Sequence, residues 1–270
     1  MKKLVLNKTH VMGVLNVTPD SFSDGGRFVS RDSAIRQAAE MLKDGATIID
    51  VGGESTRPGA SPVSLDEELA RVVPVVEMLV DEFDVFVSVD TSKPEVMEAA
   101  ASSGASMIND VLALRHKGAV DVAAKSGLPV CLMHMRGTPE TMQTNPQYED
   151  VIEDIIGFLR NRISACIAAG IGLDRIVVDP GFGFGKSLAH NFQILRGLKK
   201  LLTLGCPVLV GMSRKSMIGK LLDLPVKERD TASAILAALA LERGANILRV
   251  HDVKGTMQAL KLVEAMNTMR

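Results

Sequence analysis

The sequence predicts an α/β fold in which eight parallel strands close into a barrel, and two observations predict it. Short apolar runs alternate with longer amphipathic stretches along all 270 residues. Most of the short runs lack an alternation of polar and apolar residues, which is typical of parallel strands that are covered on both faces. Eight strand–helix units in a chain of this length favour a (β/α)8 barrel, the TIM barrel, over a doubly wound open sheet.

The elements follow in order along the chain. The predicted strands are the runs at 10–15, 47–51, 85–89, 106–108, 129–133, 175–178, 207–210 and 246–250. Between them, apolar residues recur at the 3–4 spacing of a helix face, as in 69–79 and 149–169, and we interpret 255–266 as the C-terminal helix. Ser64 and Ser92 are each followed three residues later by a glutamate, which predicts a capping box at a helix start. No Pro/Gly-rich linker divides the chain, so we predict one domain over residues 1–270.

Composition and charge exclude several classes of function. The formal net charge is −1, and the aromatic residues are eight Phe and one Tyr with no Trp, so we expect no binding of nucleic acid. The N-terminal residues lack an apolar run long enough for a signal peptide, and no stretch is predicted to span a membrane. Cys131, Cys166 and Cys206 are widely spaced in apolar contexts, which indicates buried free thiols. We therefore expect a cytoplasmic protein.

Polar residues lie at or just after the ends of the predicted strands. They are Asn16, Asp50, Asp90, Asn109, His134, Asp179, Ser213 and Arg249. The strand ends of a barrel converge on the face where catalysis is found, whereas an open sheet would scatter them along an edge. Any single Asp or Asn could instead cap a helix or start a turn, as Asp179-Pro180 could. Asp50, Asp90, Asn109 and Asp179 lie on four different strands, and as a set they favour a site for a flat heterocycle rich in hydrogen-bond donors.

Two strand-end segments suggest an anion site. The segment GMSRKSMIG at 211–219 follows the seventh strand and opens a short helix, and barrels often bind phosphate after strands seven and eight. A solvated basic loop is the alternative, but the flanking glycine and serines favour the anion site. Arg249 and His251 lie at the end of the eighth strand. Arg249 could instead pair with a neighbouring acid and His251 could be structural, but two cations at one strand end favour an anion site. His134 we interpret as structural.

The segment DPGFGFGKS at 179–187 is similar to a phosphate-binding loop but does not match one. A Walker A motif requires glycine at 180, which is Pro180, and the dinucleotide fingerprint requires glycine at 186, which is Lys186. No cluster of His, Cys and Asp has the spacing of a zinc site. This segment therefore predicts neither nucleotide nor zinc binding.

Two loop segments carry a resemblance to a known family. Residues 11–26, VMGVLNVTPDSFSDGG, lead from the first strand into a polar loop, and residues 45–60, GATIIDVGGESTRPGA, do the same after the second strand. Together they resemble the two signature motifs of bacterial dihydropteroate synthase, and the resemblance covers nearly the whole chain. It implies a transferase of folate synthesis that joins 6-hydroxymethyl-7,8-dihydropterin pyrophosphate to p-aminobenzoate, releases pyrophosphate and is a target of sulfonamides. The barrel would have long first and second βα loops.

The resemblance also implies roles for individual residues. The pterin would be bound by Asp90, Asn109, Met133, Asp179, Gly211, Lys215 and Arg249. The p-aminobenzoate would be bound by Thr56, Arg57, Pro58, Phe184, Ser213 and Lys215. The pyrophosphate would be bound by Asn16, Thr56, Arg57, Arg249 and His251. Asp90, Lys215 and Arg249 would be catalytic, with Asp90 placing negative charge near a cation that develops on the pterin.

The resemblance further implies a Mg²⁺ ion with Asn16 as its protein ligand, and a homodimer formed through the last helices. Two other functions stay open. A pterin-binding methyltransferase barrel would grip the same ring but would not need Lys215, Arg249 and His251 arranged for pyrophosphate and benzoate. A catalytically silent pterin-binding module should have lost one of the anion-site residues, and none is missing from the sequence.

Overall fold

The computed structural model describes residues 4–17, 27–55, 61–137, 142 and 146–269. Within this part of the chain the strands β1–β8 are His10–Asn16, Ile48–Gly52, Phe86–Asp90, Met107–Asp110, Val130–Met133, Ile176–Asp179, Leu209–Val210 and Ile247–Val250. The α-helices α1–α9 of the same part are Arg27–Lys43, Leu65–Glu82, Pro94–Ser102, Ala119–Ser126, Val151–Ala168, Leu188–Arg196, Ser216–Leu222, Asp230–Leu241 and Val253–Thr268.

The strands form one parallel sheet that closes on itself. Their order is β6-β5-β4-β3-β2-β1-β8-β7, and every pairing is parallel. The two ends of this order meet through a parallel bridge between Val178 of β6 and Val208, where the Val178 N–H donates to the Pro207 carbonyl at 2.9 Å. The predicted (β/α)8 barrel is therefore confirmed.

The register of the strands separates two apolar clusters. Residues of β1, β2, β4, β5, β6, β7 and β8 share the barrel interior with Leu4 and Leu6, namely Met12, Ile48, Met107, Cys131, Val177, Leu209 and Ile247. Their sequence neighbours, such as Ile49 and Val178, belong to the larger cluster between the strands and the helices. Because side chains alternate along a strand, the residue two positions beyond each interior residue also points inward, nearer the carboxyl end of the barrel.

That alternation places the polar strand-end residues inside the mouth of the barrel. The inward positions two residues further along are Val14, Asp50, Asn109, Met133, Asp179, Gly211 and Arg249, and Asp90 is the register partner of Asn109. The buried apolar cluster below them forms the floor of this space. The strands thus build a polar cup on an apolar base.

The structure corrects several predicted element ends. β2, β4 and β6 end at Gly52, Asp110 and Asp179, one or two residues later than predicted, because polar inward side chains do not interrupt the backbone ladder. β7 starts at Leu209 instead of 207, since Pro207 has no N–H to give to the ladder. The connections after β1 and β2 cover residues 17–26 and 53–64, so the first two βα loops are long as expected.

Of the two predicted capping boxes, only the Ser64 half of one forms, since the Glu67 side chain accepts from Arg71 instead. The Ser64 hydroxyl accepts from the Glu67 N–H at the start of α2. The prediction for Ser92 is wrong, because α3 begins with Pro94 and its cap position is Lys93. The Ser92 hydroxyl instead donates to the buried Asp110 carboxylate. No α-helix within the described residues is long and apolar enough to cross a membrane.

Candidate active site

Arg249 links two carboxylates across the mouth of the barrel. Its Nε donates to Asp50 Oδ2 at 2.6 Å and its Nη2 donates to Asp90 Oδ2 at 2.7 Å. β8, β2 and β3 bring these three residues together, since all three occupy inward positions near the strand ends. Asp50 is fully buried, whereas 22% of the Arg249 side chain is exposed, so the guanidinium lies between the acids and the open end of the cup.

Asn109 completes this group from β4. Its Nδ2 donates to Asp50 Oδ2 at 3.1 Å, so this one oxygen accepts from both Asn109 and Arg249. Among the described residues, the other Asp50 oxygen, Oδ1, is buried with no hydrogen-bond partner. Sequence reasoning placed Asp50 among the strand-end acids but gave it no role. Its position two residues after the interior residue Ile48 is the signal that could have placed it at the centre.

Burial and the neighbouring charges shift the pKa values of Asp90 and Arg249. Burial raises the pKa of Asp90 to about 7, with Asp50 adding to the shift and Arg249 opposing it. Burial acts to lower the pKa of Arg249, but Asp50 and Asp90 overcome this and raise it, so the guanidinium stays charged. The group therefore holds a permanent cation between two acids, one of which titrates near neutral pH.

A second group occupies the opposite side of the cup. Lys215 Nζ donates to the Phe182 carbonyl and lies 4.5 Å from the centroid of the Phe184 ring. Desolvation lowers the pKa of Lys215 to about 8, with Asp179 acting against the shift. The Asp179 Oδ1 accepts from the Gly181 N–H at 2.7 Å, so this carboxylate does start a turn, as the alternative interpretation proposed.

Met133 and Gly211 shape the space between the two groups. Met133 is buried in a small cluster with Met135 and Met142, against which Phe184 packs. A Cβ added to Gly211 would lie 3.8 Å from Arg249 Cβ and 3.9 Å from Lys215 Nζ. The missing side chain of this inward residue therefore leaves room between the two cations.

The two basic residues after β7, Arg214 and Lys215, point in different directions. Arg214 turns away from the cup and forms a two-pronged ion pair with Asp230 at the start of α8, at 2.6 and 2.8 Å. Lys215 precedes α7 and faces the cup. Ser213 Oγ accepts from the His251 N–H at 3.1 Å and lies 3.0 Å from His251 Nδ1, which joins the ends of β7 and β8.

Asn16 ends β1 at the rim of the cup. A Cβ on Gly52 would lie 3.8 Å from both Asn16 Oδ1 and Asp90 Oδ2, so the amide oxygen and the carboxylate border the same corner. Within the described residues, no group of three His, Cys, Asp or Glu side chains could hold a metal ion. Thr56, Arg57 and Pro58 lie outside the described residues.

His134 and Lys186 form a buried pair near the site. His134 lies behind the cup, where its ring packs edge-on against Phe158 of α5 at 5.0 Å, in keeping with a structural role. Its Nδ1 lies 2.9 Å from the amine of Lys186, a buried residue that sequence reasoning left without a role. Lys186 could not be found from sequence spacing, because its partner is 52 positions away.

Comparisons with known proteins agree on one family. The model of the family described as pterin binding enzyme matches residues 12–251. Dihydropteroate synthase of Escherichia coli (strain K12) is 53% identical, and the match covers 97% of this chain and 93% of that protein.

Two solved structures have the same fold. Yersinia pestis dihydropteroate synthase, solved with a sulfonamide drug complex, is 54% identical with a TM-score of 0.94, covering 98% of this chain and 96% of that one. The Xanthomonas albilineans dihydropteroate synthase solved with 4-aminobenzoic acid is 48% identical with a TM-score of 0.94, covering 99% and 96%. The chain therefore belongs to the pterin-binding enzymes and, among them, to the dihydropteroate synthases, which are transferases.

Proposed function

We propose that this chain condenses 6-hydroxymethyl-7,8-dihydropterin pyrophosphate with p-aminobenzoate to give 7,8-dihydropteroate and pyrophosphate. One observation carries the proposal: Arg249 is held between Asp50 and Asp90 in the same cup that presents Asn109, Asp179 and Lys215. This cup offers acceptors for a ring rich in N–H donors, and cations for an anionic leaving group and a carboxylate. Membership of the dihydropteroate synthases supports the same reaction.

The pterin would occupy the inner part of the cup. Its amino group and ring N–H donors require acceptors, which Asp179 and the amide of Asn109 supply, while Lys215 can donate to its carbonyl. Met133, which is buried at the side of the cup, would pack against the ring. Asp90 and Arg249 would border the carbon atom at which the reaction takes place.

The chemistry would then depend on charged side chains that are already in position before the reaction. Cleavage of the bond between carbon and the pyrophosphate oxygen leaves a cation that is conjugated with the dihydropterin, and the p-aminobenzoate amine captures it. Asp50 and Asp90 supply negative charge near that cation, and they need not reorganise because Arg249 and Asn109 hold them. Arg249 and His251 would face the pyrophosphate as it departs.

The p-aminobenzoate would enter over the first substrate. Phe184 would pack against its ring, and Ser213 with Lys215 would receive its carboxylate. Lys215 lies over the Phe184 ring, so a single cation borders both substrates. Thr56, Arg57 and Pro58 would complete this pocket and exclude the water that competes for the cation.

A Mg²⁺ ion fits the corner formed by Asn16. The neighbouring polar atoms, Asn16 Oδ1 and Asp90 Oδ2, are both oxygens, and Mg²⁺ prefers oxygen ligands with few of them from protein when it binds phosphates. Asn16 would hold the ion. When bound, the ion supplies positive charge that neutralises the pyrophosphate oxygens.

The assembly we propose is a homodimer formed through α8 and α9, in the cytoplasm. These two helices pack together and leave Ile235, Leu262 and Met266 more than half exposed. A second copy of the chain would cover this apolar surface. Sedimentation of the Leu262→Glu variant tests the interface, since a change from dimer to monomer is expected.

The pH dependence of kcat/KM is expected to be bell-shaped. Burial raises the pKa of Asp90 to about 7 and desolvation lowers the pKa of Lys215 to about 8. As pH falls through the first value, Asp90 loses the charge that faces Arg249; as pH rises through the second, Lys215 loses the charge beside Asp179. Initial rates from about pH 5.5 to about pH 9.5 measure both limbs. A flat profile would contradict the assignment of these two groups.

Replacing Asn109 with alanine is expected to weaken pterin binding by about tenfold to a hundredfold, because a buried polar contact is lost and Asp50 keeps only one of its donors. Calorimetry with the pterin substrate measures the effect. Ser88→Ala is the matched control, since the Ser88 hydroxyl is buried at the register position beside Asp50 without a hydrogen-bond partner in the described part of the chain. Equal affinities of the two variants would remove Asn109 from the pterin site.

The proposed reaction is tested by mass spectrometry of the products formed from both substrates. We expect 7,8-dihydropteroate, with a sulfonamide lowering the rate by competing with p-aminobenzoate. Pterin binding without any product would instead indicate a silent binding module. No inhibition by a sulfonamide far above the concentration of p-aminobenzoate would contradict the proposed second substrate.

A further inference from the structure

Lys186 is a buried amine with three well-defined partners. Only 3% of the residue is exposed, and its Nζ lies 2.9 Å from His134 Nδ1, 3.3 Å from the His134 carbonyl and 2.9 Å from the Phe184 carbonyl. As an ammonium, Nζ donates to all three; as a neutral amine, it donates to the carbonyls and accepts from an Nδ1–H. All of its hydrogen-bonding groups are therefore satisfied in either protonation state.

Lys186 joins two segments that end at the cup. One is the chain leaving β5 through Met133 and His134, and the other is the 180–187 loop that leaves β6. The segments touch at two glycines with positive φ, since a Cβ on Gly181 would lie 1.9 Å from the His134 carbonyl oxygen and one on Gly185 would lie 2.5 Å from that of Arg136. Lys186 links the same two segments, because its amine donates to the carbonyls of His134 and Phe184.

Three carbonyl groups of the 180–187 loop accept hydrogen bonds from side chains. The Phe182 carbonyl accepts from Lys215, the Phe184 carbonyl from Lys186, and the Gly185 carbonyl from the Tyr148 hydroxyl at 2.8 Å. Lys186 thus holds Phe184 at its backbone carbonyl, and Lys215 lies over its ring. Loss of the Lys186 contact removes the hydrogen bond on the Phe184 carbonyl, while the Phe184 N–H keeps its bond to the Gly181 carbonyl and the contacts at Phe182 and Gly185 remain.

When it is protonated, the same lysine also acts on the site through its charge. Burial raises the pKa of Asp179, and the cations Lys215 and Lys186 both oppose that shift. Burial in turn lowers the pKa of Lys186 well below its usual value, and Asp179 opposes this. Lys186 therefore lies within electrostatic reach of a carboxylate that borders the cup.

We propose that Lys186 is a positioning residue for the p-aminobenzoate subsite, fixing Phe184 relative to Met133 and Lys215 by tying the 180–187 loop to the end of β5. The inference rests on the proposed function for the identity of the aromatic ligand. The position of the ring does not depend on that identity: one hydrogen bond of Lys186 holds the Phe184 carbonyl, and the other two anchor the amine at His134.

The test compares steady-state kinetics of Lys186→Met with the wild type. We expect the KM for p-aminobenzoate to rise about tenfold or more, while the KM for the pterin substrate stays within about threefold. Lys200→Met, which removes an exposed lysine paired with Glu153, is the matched control and should leave both constants unchanged. Leu79→Ala is a second control, because it lowers stability through a fully buried residue of α2 without touching the loop.

A second pair of variants covers the case in which Lys186→Met does not fold. His134→Asn keeps an acceptor near the position of Nδ1 and should retain a near-normal KM, whereas His134→Phe keeps the ring but removes the acceptor and should raise the KM for p-aminobenzoate. Equal constants for these two variants would overturn the proposal. So would a folded Lys186→Met protein that loses stability as Leu79→Ala does but keeps its KM.

The ring position can be read without turnover. Phe184 packs against the cluster that contains Met133, so we expect the methyl signal of Met133 to report the ring current of Phe184. We expect this signal to shift in Lys186→Met and to stay in place in Lys200→Met. A wild-type protein that makes no product would contradict the proposed function. An unchanged Met133 signal in Lys186→Met would contradict the positioning role of Lys186.

Discussion

Replacing Arg249 with alanine is expected to lower kcat on the order of 10²- to 10³-fold, while the KM for p-aminobenzoate changes by less than about threefold. The guanidinium holds Asp50 and Asp90 in place through separate hydrogen bonds and provides positive charge at the open side of the cup. Without it, Asp90 has lost the main opponent of its raised pKa and gains a proton at neutral pH. The cation that would face the departing pyrophosphate and the negative charge of Asp90 near the reacting carbon are then both missing. Initial-rate kinetics with each substrate varied in turn measure the effect.

Arg214→Ala is the matched control for this prediction. Arg214 also forms a two-pronged ion pair, but with Asp230 on α8 and outside the cup, so the loss of this pair should leave kcat within about threefold. Arg249→Lys should recover only part of the activity, because a single ammonium lacks the fork that contacts both acids. Equal kcat values for Arg249→Ala and Arg214→Ala would remove Arg249 from the catalytic machinery.

Replacing Lys215 with methionine is expected to lower kcat/KM for both substrates, on the order of 10²-fold or more. Lys215 lies over the Phe184 ring and opposes the raised pKa of Asp179 more than any other charged group, so it borders both proposed subsites. The alkaline limb of the pH profile should disappear in this variant, because the group whose pKa is about 8 is gone. The acidic limb, which belongs to Asp90, should remain.

Lys220→Met is the control for Lys215. It changes an exposed lysine of α7, the short helix that Lys215 precedes, and should leave both the rates and the pH profile unaltered. An alkaline limb that persists in Lys215→Met would show that another group titrates there. A loss confined to one substrate would show that Lys215 borders a single subsite.

The barrel could be predicted because each strand carries its signal in a few neighbouring residues. Runs such as the one in β6 are apolar on both faces, and that pattern is typical of a parallel sheet covered on both sides. The convergence of Asp50, Asp90, Asn109 and Arg249 followed from the same reasoning, since the carboxyl ends of the strands share one face. The period of two along each strand then explains why these side chains point inward.

Features that depend on competing local rules or on distant partners could not be predicted. The capping-box pattern at Ser92 failed because Pro94 prefers the first helical position, which leaves Ser92 outside α3 and available to Asp110. The role of Lys186 depends on His134, which only the closure of the barrel brings to it. Neither outcome can be read from spacing along the chain.

Pyrophosphate release from 6-hydroxymethyl-7,8-dihydropterin pyrophosphate, followed with Mg²⁺ and with and without p-aminobenzoate, tests the account most directly. We expect release that depends on p-aminobenzoate and yields one 7,8-dihydropteroate for each pyrophosphate. Release without p-aminobenzoate would support cleavage before capture while leaving the second substrate to be identified. No release from folded protein would contradict the account and return the cup to a pterin-binding role without this chemistry.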